Sequence, residues 1–176
     1  NDRPGIMLAC SARKYLNHYN VCPGGNVVVF TNNDTAYQTA IDFYKEGIKV
    51  QAIVDVRNES KGDLPKIANK LGILIYNNHV VIDTKGRKKI NAVIINKIDE
   101  SSNNLIGRSK KLSCNLLCVS GGWTPTVSLF SQSRGDLVYR ESDATFVPHQ
   151  SFQEEISIGS CNGTFSTNEI FEETRK

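Results

Sequence analysis

The chain has no apolar run approaching the roughly 18 residues that a membrane-crossing helix needs, so no membrane partner is expected. It begins at Asn rather than Met, and no charged-then-apolar leader follows. An internal stretch of a longer polypeptide is therefore the expectation. Histidine is scarce: His18, His79 and His149 are scattered. The five cysteines, at 10, 22, 114, 118 and 161, are odd in number and irregularly spaced. Neither a clustered zinc set nor a disulfide framework fits that pattern. Structural buried thiols in a reducing cytoplasm do. Cys114 and Cys118 lie four apart in an apolar run, where alternation predicts one shared face of a strand. Charge of one sign is also in short supply, with a net of +3. Eight of the Lys and Arg residues fall at 84–111 against Asp99 and Glu100, which makes that window +6. No aromatic side chain interleaves with them, so bases would have no stacking platform. A solvated hairpin and loop is the reading, with no nucleic-acid partner.

What is present is an alternation of strand and helix. Residues 5–20 carry apolar side chains near helical period. After Pro23-Gly24-Gly25, Asn26–Phe30 is a short apolar run that suits a strand buried on both faces. A helix over 34–46 follows, with Asp34 as its predicted N-cap and Gly47 as its terminator. Ile48–Val56 reads as a second buried strand, 63–71 as a helix and 73–76 as a third strand. The period then changes. His79–Thr84 and Lys89–Ile98 alternate around Lys85-Gly86-Arg87 as antiparallel strands. A polar loop over 99–110 leads to an apolar strand at 114–119 and a turn at 121–125. A short helix at 126–133, mixed character at 137–146, a last strand at Ile156–Ile158 and a helix from Ser166 or Thr167 complete the chain. The fold class is α/β: a Rossmann-like βαβαβ parallel core with a β-meander and a return strand. That order resembles the NAD(P)-type lobe of two-dinucleotide, pyridine nucleotide-disulfide reductase-like flavoproteins.

The dinucleotide fingerprint at the first strand-to-helix turn is spoiled. A working G-x-G-x-x-G/A turn needs glycines for the tight bend and for the approach of pyrophosphate. Here those positions are Thr31, Asn33 and Ala36, and only the last is of an accepted type. Asp34 adds a carboxylate where the helix dipole would otherwise draw an anion. Asp55 keeps the acidic ribose position about 20 residues on. Dinucleotide binding at this turn is not expected. No catalytic or metal-ligating set emerges either. Ser120, Ser157 and Ser160 lack a nucleophile elbow, Glu154-Glu155 reads as surface charge, and His79 as structural. Ser157–Phe165, where a strand runs into small residues and glycines, reads equally as a plain strand-to-helix turn or as a set of free N–H groups for phosphate or ribose oxygens.

Specific strings carry a resemblance. Asn1–Ala9 (NDRPGIMLA), Val29–Tyr37 (VFTNNDTAY), Val54–Arg57 (VDVR), Ser120–Val127 (SGGWTPTV), Leu129–Gly135 (LFSQSRG) and Ser160–Phe165 (SCNGTF) stand in the expected order. On these the chain resembles the alpha subunits of heterotetrameric sarcosine oxidases, with Ser128 a departure where a larger polar residue is expected. The resemblance implies an internal domain of an oxidoreductase acting on CH–NH groups. That family demethylates sarcosine to glycine, with hydrogen peroxide and a formaldehyde-level one-carbon product. It implies NAD in the intact subunit, and FAD, FMN and tetrahydrofolate in the intact complex, none of them held tightly by this stretch alone. Partners would be the other subunits, the beta subunit above all. Three segments follow from it: 1–22 as a helical segment from the preceding lobe, 23–119 as the nucleotide-fold lobe with its meander, and 120–176 as the return into the first lobe. The residues it brings toward NAD are Ser160, Cys161, Asn162, Gly163 and Thr164, with Gly121 and Gly122 at the re-entry turn. A subunit of a related amine, opine or cyanide-forming dehydrogenase is an alternative, as is an interaction module with a dead nucleotide site.

Overall fold

The computed structural model describes residues 3–60, 62–99, 101–102 and 104–175. Asn1, Asp2 and Glu100, which belong to the strings and windows above, lie outside the described residues. Contacts divide the chain into two compact units, Asn1–Gly122 and Trp123–Lys176.

The first unit is built on a five-stranded parallel sheet. In chain order its elements are β1 (Ile6–Leu8), α1 (Ala9–Tyr19), β2 (Asn26–Thr31), α2 (Thr35–Lys45), β3 (Lys49–Asp55), α3 (Asp63–Lys70) and β4 (Ile75–Tyr76). A meander of β5 (His79–Lys85), β6 (Ala92–Ile98) and β7 (Leu105–Ser113) precedes β8 (Leu116–Ser120). The sheet order is β1-β8-β2-β3-β4, so the last strand returns between the first two. The valine run of β2 explains why this sheet is covered twice. Val27 and Val29 point to the helices and pack with Leu16, Tyr37, Ile41 and Phe43. Val28 points the other way, to Ile90, Val93, Ile95 and Leu112 of the meander. A strand with both faces buried must read as continuous apolar sequence, because no position is left for a solvated side chain. Helix α2 ends as its sequence predicts. Gly47 takes φ +72, and the N–H of Ile48 reaches back to the carbonyl of Phe43, a left-handed glycine stop.

Three local expectations change in this unit. Residues 5–20 are not one helix: Ile6–Leu8 pair in parallel register with Leu117–Val119, and helix begins only at Ala9. The second half of the polar loop expected over 99–110 is strand, since β7 pairs antiparallel with β6 from Leu105 onward. Only Leu112 of β7 is buried, so backbone pairing rather than side-chain burial makes it a strand, and polar residues suit an edge. Arg108, Lys110 and Lys111 all stand exposed on it. Cys114 lies ahead of β8 and joins the meander side, whereas Cys118 faces the helices. They do not share a face, and of the five thiols expected to be buried only these two are: Cys10 and Cys22 stand exposed and Cys161 is half-buried. Burial pushes the Cys114 thiol up to about 11 and the Cys118 thiol up to about 12.

The second unit contains α4 (Ser128–Gln132), the antiparallel hairpin β9 (Asp136–Arg140) and β10 (Thr145–Gln150), a 3-10 turn at Gly159–Asn162, and α5 (Thr167–Glu173). Ile156–Ile158, expected as a strand, is irregular, and no strand of the described sheets pairs with it. Phe130 and Val147 are its buried apolar anchors. Gly135 lies so close to the Phe130 ring that a Cβ there would overlap it.

Candidate functional site

The C-terminal ends of β2 and β3 are where a doubly wound sheet normally presents its dinucleotide site. Here side chains of the turn occupy that place. Thr31 Oγ1 accepts the N–H of Asn33 at 3.0 Å. Asn33 turns its amide nitrogen to Ser120 Oγ at 2.9 Å, and its Oδ1 accepts the N–H of Thr35 at 3.1 Å. Asn33 therefore supplies the side-chain capping bond of α2 from one residue ahead of the N-cap position, which Asp34 holds. Asp34, the predicted cap, is already helical at φ −75 and makes no side-chain cap bond.

Asp34 is turned instead to Arg57, whose Nη2 donates to Asp34 Oδ1 at 2.6 Å and to Asp55 Oδ2 at 2.7 Å. Arg57 Nε donates to Asp55 Oδ1 at 3.0 Å, and its backbone N–H does the same at 2.9 Å. Asp55 is fully buried, and the Tyr37 hydroxyl donates to its Oδ2 at 2.8 Å. The acidic ribose position is thus kept in sequence but capped in space. Hydrogen bonding to Asp55, then to Asp34, holds the Arg57 guanidinium firmly protonated, while burial raises the Tyr37 phenol well above its usual range. Gly62 closes the other side, since a Cβ there would overlap Asp34 Oδ2. A pyrophosphate in this turn would have to displace an ion-pair network over a buried carboxylate, which is costly once one partner is lost. The residues present do not fit a dinucleotide here.

Gly121 and Gly122 follow β8 beside this turn. Gly122 takes φ +99, and the Gly121 carbonyl accepts Asn32 Nδ2 at 3.0 Å. Ser160, Cys161, Asn162, Gly163 and Thr164 lie in the second unit, so the two groups named from sequence belong to different units. Within that unit the five form a tight turn. Cys161 Sγ donates to the Ile158 carbonyl at 3.0 Å, and Gly159 and Gly163 adopt φ +67 and +77. Their donors converge on Glu173. The Gly159 N–H reaches Glu173 Oε2 at 2.8 Å, Asn162 Nδ2 reaches Oε1 at 3.2 Å, and Thr164 Oγ1 donates to Oε1. Arg140 sits alongside, with Nη2 3.4 Å from the Gly163 carbonyl. Sequence reasoning missed Arg57, Tyr37 and Glu173. An Arg two residues after the acidic strand end was the available signal for the first. Among the described residues no three potential ligands cluster for a metal, and no helix is long and apolar enough to cross a membrane.

Comparison with known proteins gives three results. No protein-family model matches the chain. It is 35% identical over 169 residues to sarcosine oxidase subunit alpha of Corynebacterium sp. (strain P-1), a match covering 95% of this chain and 17% of that one. The Rhizobium meliloti (strain 1021) subunit alpha is 34% identical over 147 residues, covering 84% and 14%. The chain thus spans a small part of the curated relatives it matches. Among solved structures, T. acidophilum thioredoxin reductase superposes with TM-score 0.67 at 15% identity, covering 95% of this chain and 53% of that one. The Escherichia coli flavoprotein disulfide reductase RclA gives 0.65 at 18% identity, covering 98% and 38%. At such identities these neighbours establish the fold, that of flavin- and nucleotide-dependent disulfide reductase-like proteins.

Proposed function

From this relationship to sarcosine oxidase alpha subunits, we propose that the chain is a non-catalytic, nucleotide-fold domain of such a subunit. It contributes to assembly with the other subunits, the beta subunit in particular, and supplies part of an NAD pocket through Asn162–Thr164. The intact cytoplasmic enzyme would oxidise the N-methyl group of sarcosine, giving glycine, a formaldehyde-level one-carbon unit and hydrogen peroxide. Flavins and tetrahydrofolate would serve that reaction from other parts of the complex.

The observation that carries the non-catalytic reading is the locked turn. Asp55, the group that would meet a ribose, is buried under Arg57 and Tyr37. The Gly159–Thr164 turn, whose sequence matches the family string, has donors that meet only Glu173 of the exposed helix α5 among the described bonds. Calorimetric titration of NAD into the intact polypeptide tests both halves. Asp55→Ala, checked for fold by circular dichroism, is expected to leave affinity within about twofold, while Asn162→Ala weakens it about tenfold, the scale of one polar contact. Loss of binding in a folded Asp55→Ala protein would move the nucleotide back to the first turn. Peroxide release from the assembled complex with sarcosine, and not with other secondary amines, tests the substrate.

A further inference from the structure

The Gly159–Thr164 turn already holds an anion, and it belongs to the chain. Three donors from separate positions meet the two oxygens of the Glu173 carboxylate: a backbone N–H, an amide and a hydroxyl. The Arg140 guanidinium lies beside them and feels the Glu173 charge, although its pairing with Asp143 dominates its protonation. Converging donors with a cation nearby form an oxyanion receptor, and such receptors favour phosphate oxygens as they favour carboxylates. The element that delivers Glu173 is weakly held. No residue of α5 is buried, and Ile170 is the side chain that packs against Gly159. A cleft of about 620 Å³ adjoins the turn, lined in part by Thr164, Asn168, Phe171 and Glu173, a volume in the range of ligand sites.

We propose that Glu173 is a built-in plug: it occupies a receptor for the anionic oxygens of a phosphate ester, which binds by displacing it. The proposal rests on the reading that this turn approaches the dinucleotide. It adds that the wild-type protein binds against a competing intramolecular carboxylate. Displacement of α5 as a unit would also carry away Glu169 and Glu172, the other carboxylates on that helix, so the vacated turn would keep its donors and Arg140.

Titrations of inorganic pyrophosphate and of NAD into the intact polypeptide decide it, with wild type, Glu173→Gln, Glu172→Gln and the double variant Glu173→Gln/Asn162→Ala. Glu173→Gln keeps the side-chain shape and removes the charge, so it should bind both probes about tenfold more tightly, the scale of one charge-assisted contact. Glu172 pairs with Arg175 and makes no bond to the turn among those described, so its variant should stay within about twofold of wild type. The gain should vanish in the double variant. Equal NAD affinities for wild type and Glu173→Gln overturn the plug and leave the turn as a nucleotide contact. Weaker binding by Glu173→Gln also overturns it, making Glu173 a ligand-holding group. Absence of binding in every variant overturns the plug and the pocket reading together. A thermal melt of each variant shows that the comparison is between folded proteins.

Discussion

The two units solve the problem of burying apolar surface to very different degrees. Asn1–Gly122 sandwiches its sheet between helices and a meander, and Val27, Val28, Ile53, Val54, Phe43 and Leu116 are wholly shielded. Trp123–Lys176 leaves Leu129 at 79% exposure, Phe152 at 71% and Ile156 at 86%. Small units have little interior to offer, so their apolar residues remain at the surface unless something else covers them. The same contrast separates the two turns that a nucleotide could use. Both are filled by the chain's own side chains. In the first unit the filler is anchored to a fully buried carboxylate, Asp55. In the second it hangs from α5, which buries nothing. A self-filled site is permanent where the filler is part of the core, and displaceable where it is not.

The sharpest way to break this comparison is to unlock the first turn. Arg57→Ala would leave Asp55 buried without its cation. Stripping one partner from a buried pair costs on the order of 3–5 kcal/mol. Arg57 is itself 31% exposed, so solvent screening lowers the expectation to about 2–3 kcal/mol. A urea titration of the intact polypeptide should show that loss in the midpoint of the first unit's transition. A shift below about 0.5 kcal/mol would mean that the network is ornamental and the turn is open.

A smaller effect comes from the buried thiols. Folding raises the pKa of Cys118 to about 12 and of Cys114 to about 11, so both stay neutral in the fold. An unfolded thiol ionises near pH 8.5. The folded state therefore binds more protons above that pH. The stabilisation is complete below pH 8.5 and declines as pH rises toward the folded values. At pH 10 the first unit should have lost on the order of 2 kcal/mol per thiol relative to pH 7. Replacing Cys118 by Ala should flatten this slope, and an unchanged slope would place its source elsewhere.

The parts legible in sequence are those whose cause is local. Val27–Val29 announces β2 because both faces are buried by near neighbours in the fold, and Gly47 announces the end of α2 because the stop is a backbone conformation. The parts that were not legible depend on distant partners. β7 is a polar strand made by its register with β6. β1 is three residues that look helical until Leu117–Val119 arrive beside them. Ile156–Ile158 has the composition of a strand and lacks a neighbour to pair with among the described residues. At the site, Asp34 looked like a cap because only its own helix was in view, and Arg57 lies 23 residues away. Glu173 carried no motif at all. Its role comes from where the turn's donors point.

The gentlest probe falls on the exposed side of the comparison. Leu129→Ser replaces a leucine that is 79% exposed on α4, a helix whose one buried residue is Phe130. A leucine buried in a core would cost several kcal/mol on truncation, through lost transfer energy and the cavity left behind. Neither contribution applies at a site that is already in water. The serine also matches Ser128 and Ser131 around it in helix preference closely enough to leave α4 intact. The expected change is within about 0.5 kcal/mol in the melting of the polypeptide on its own. The informative readout is the proposed assembly with the other subunits. If the exposed leucine is covered there, the same substitution should lower the complex's stability by more than 1 kcal/mol, because burial of that side chain then belongs to the interface. Equal, small effects in both states would show that this apolar surface faces solvent throughout.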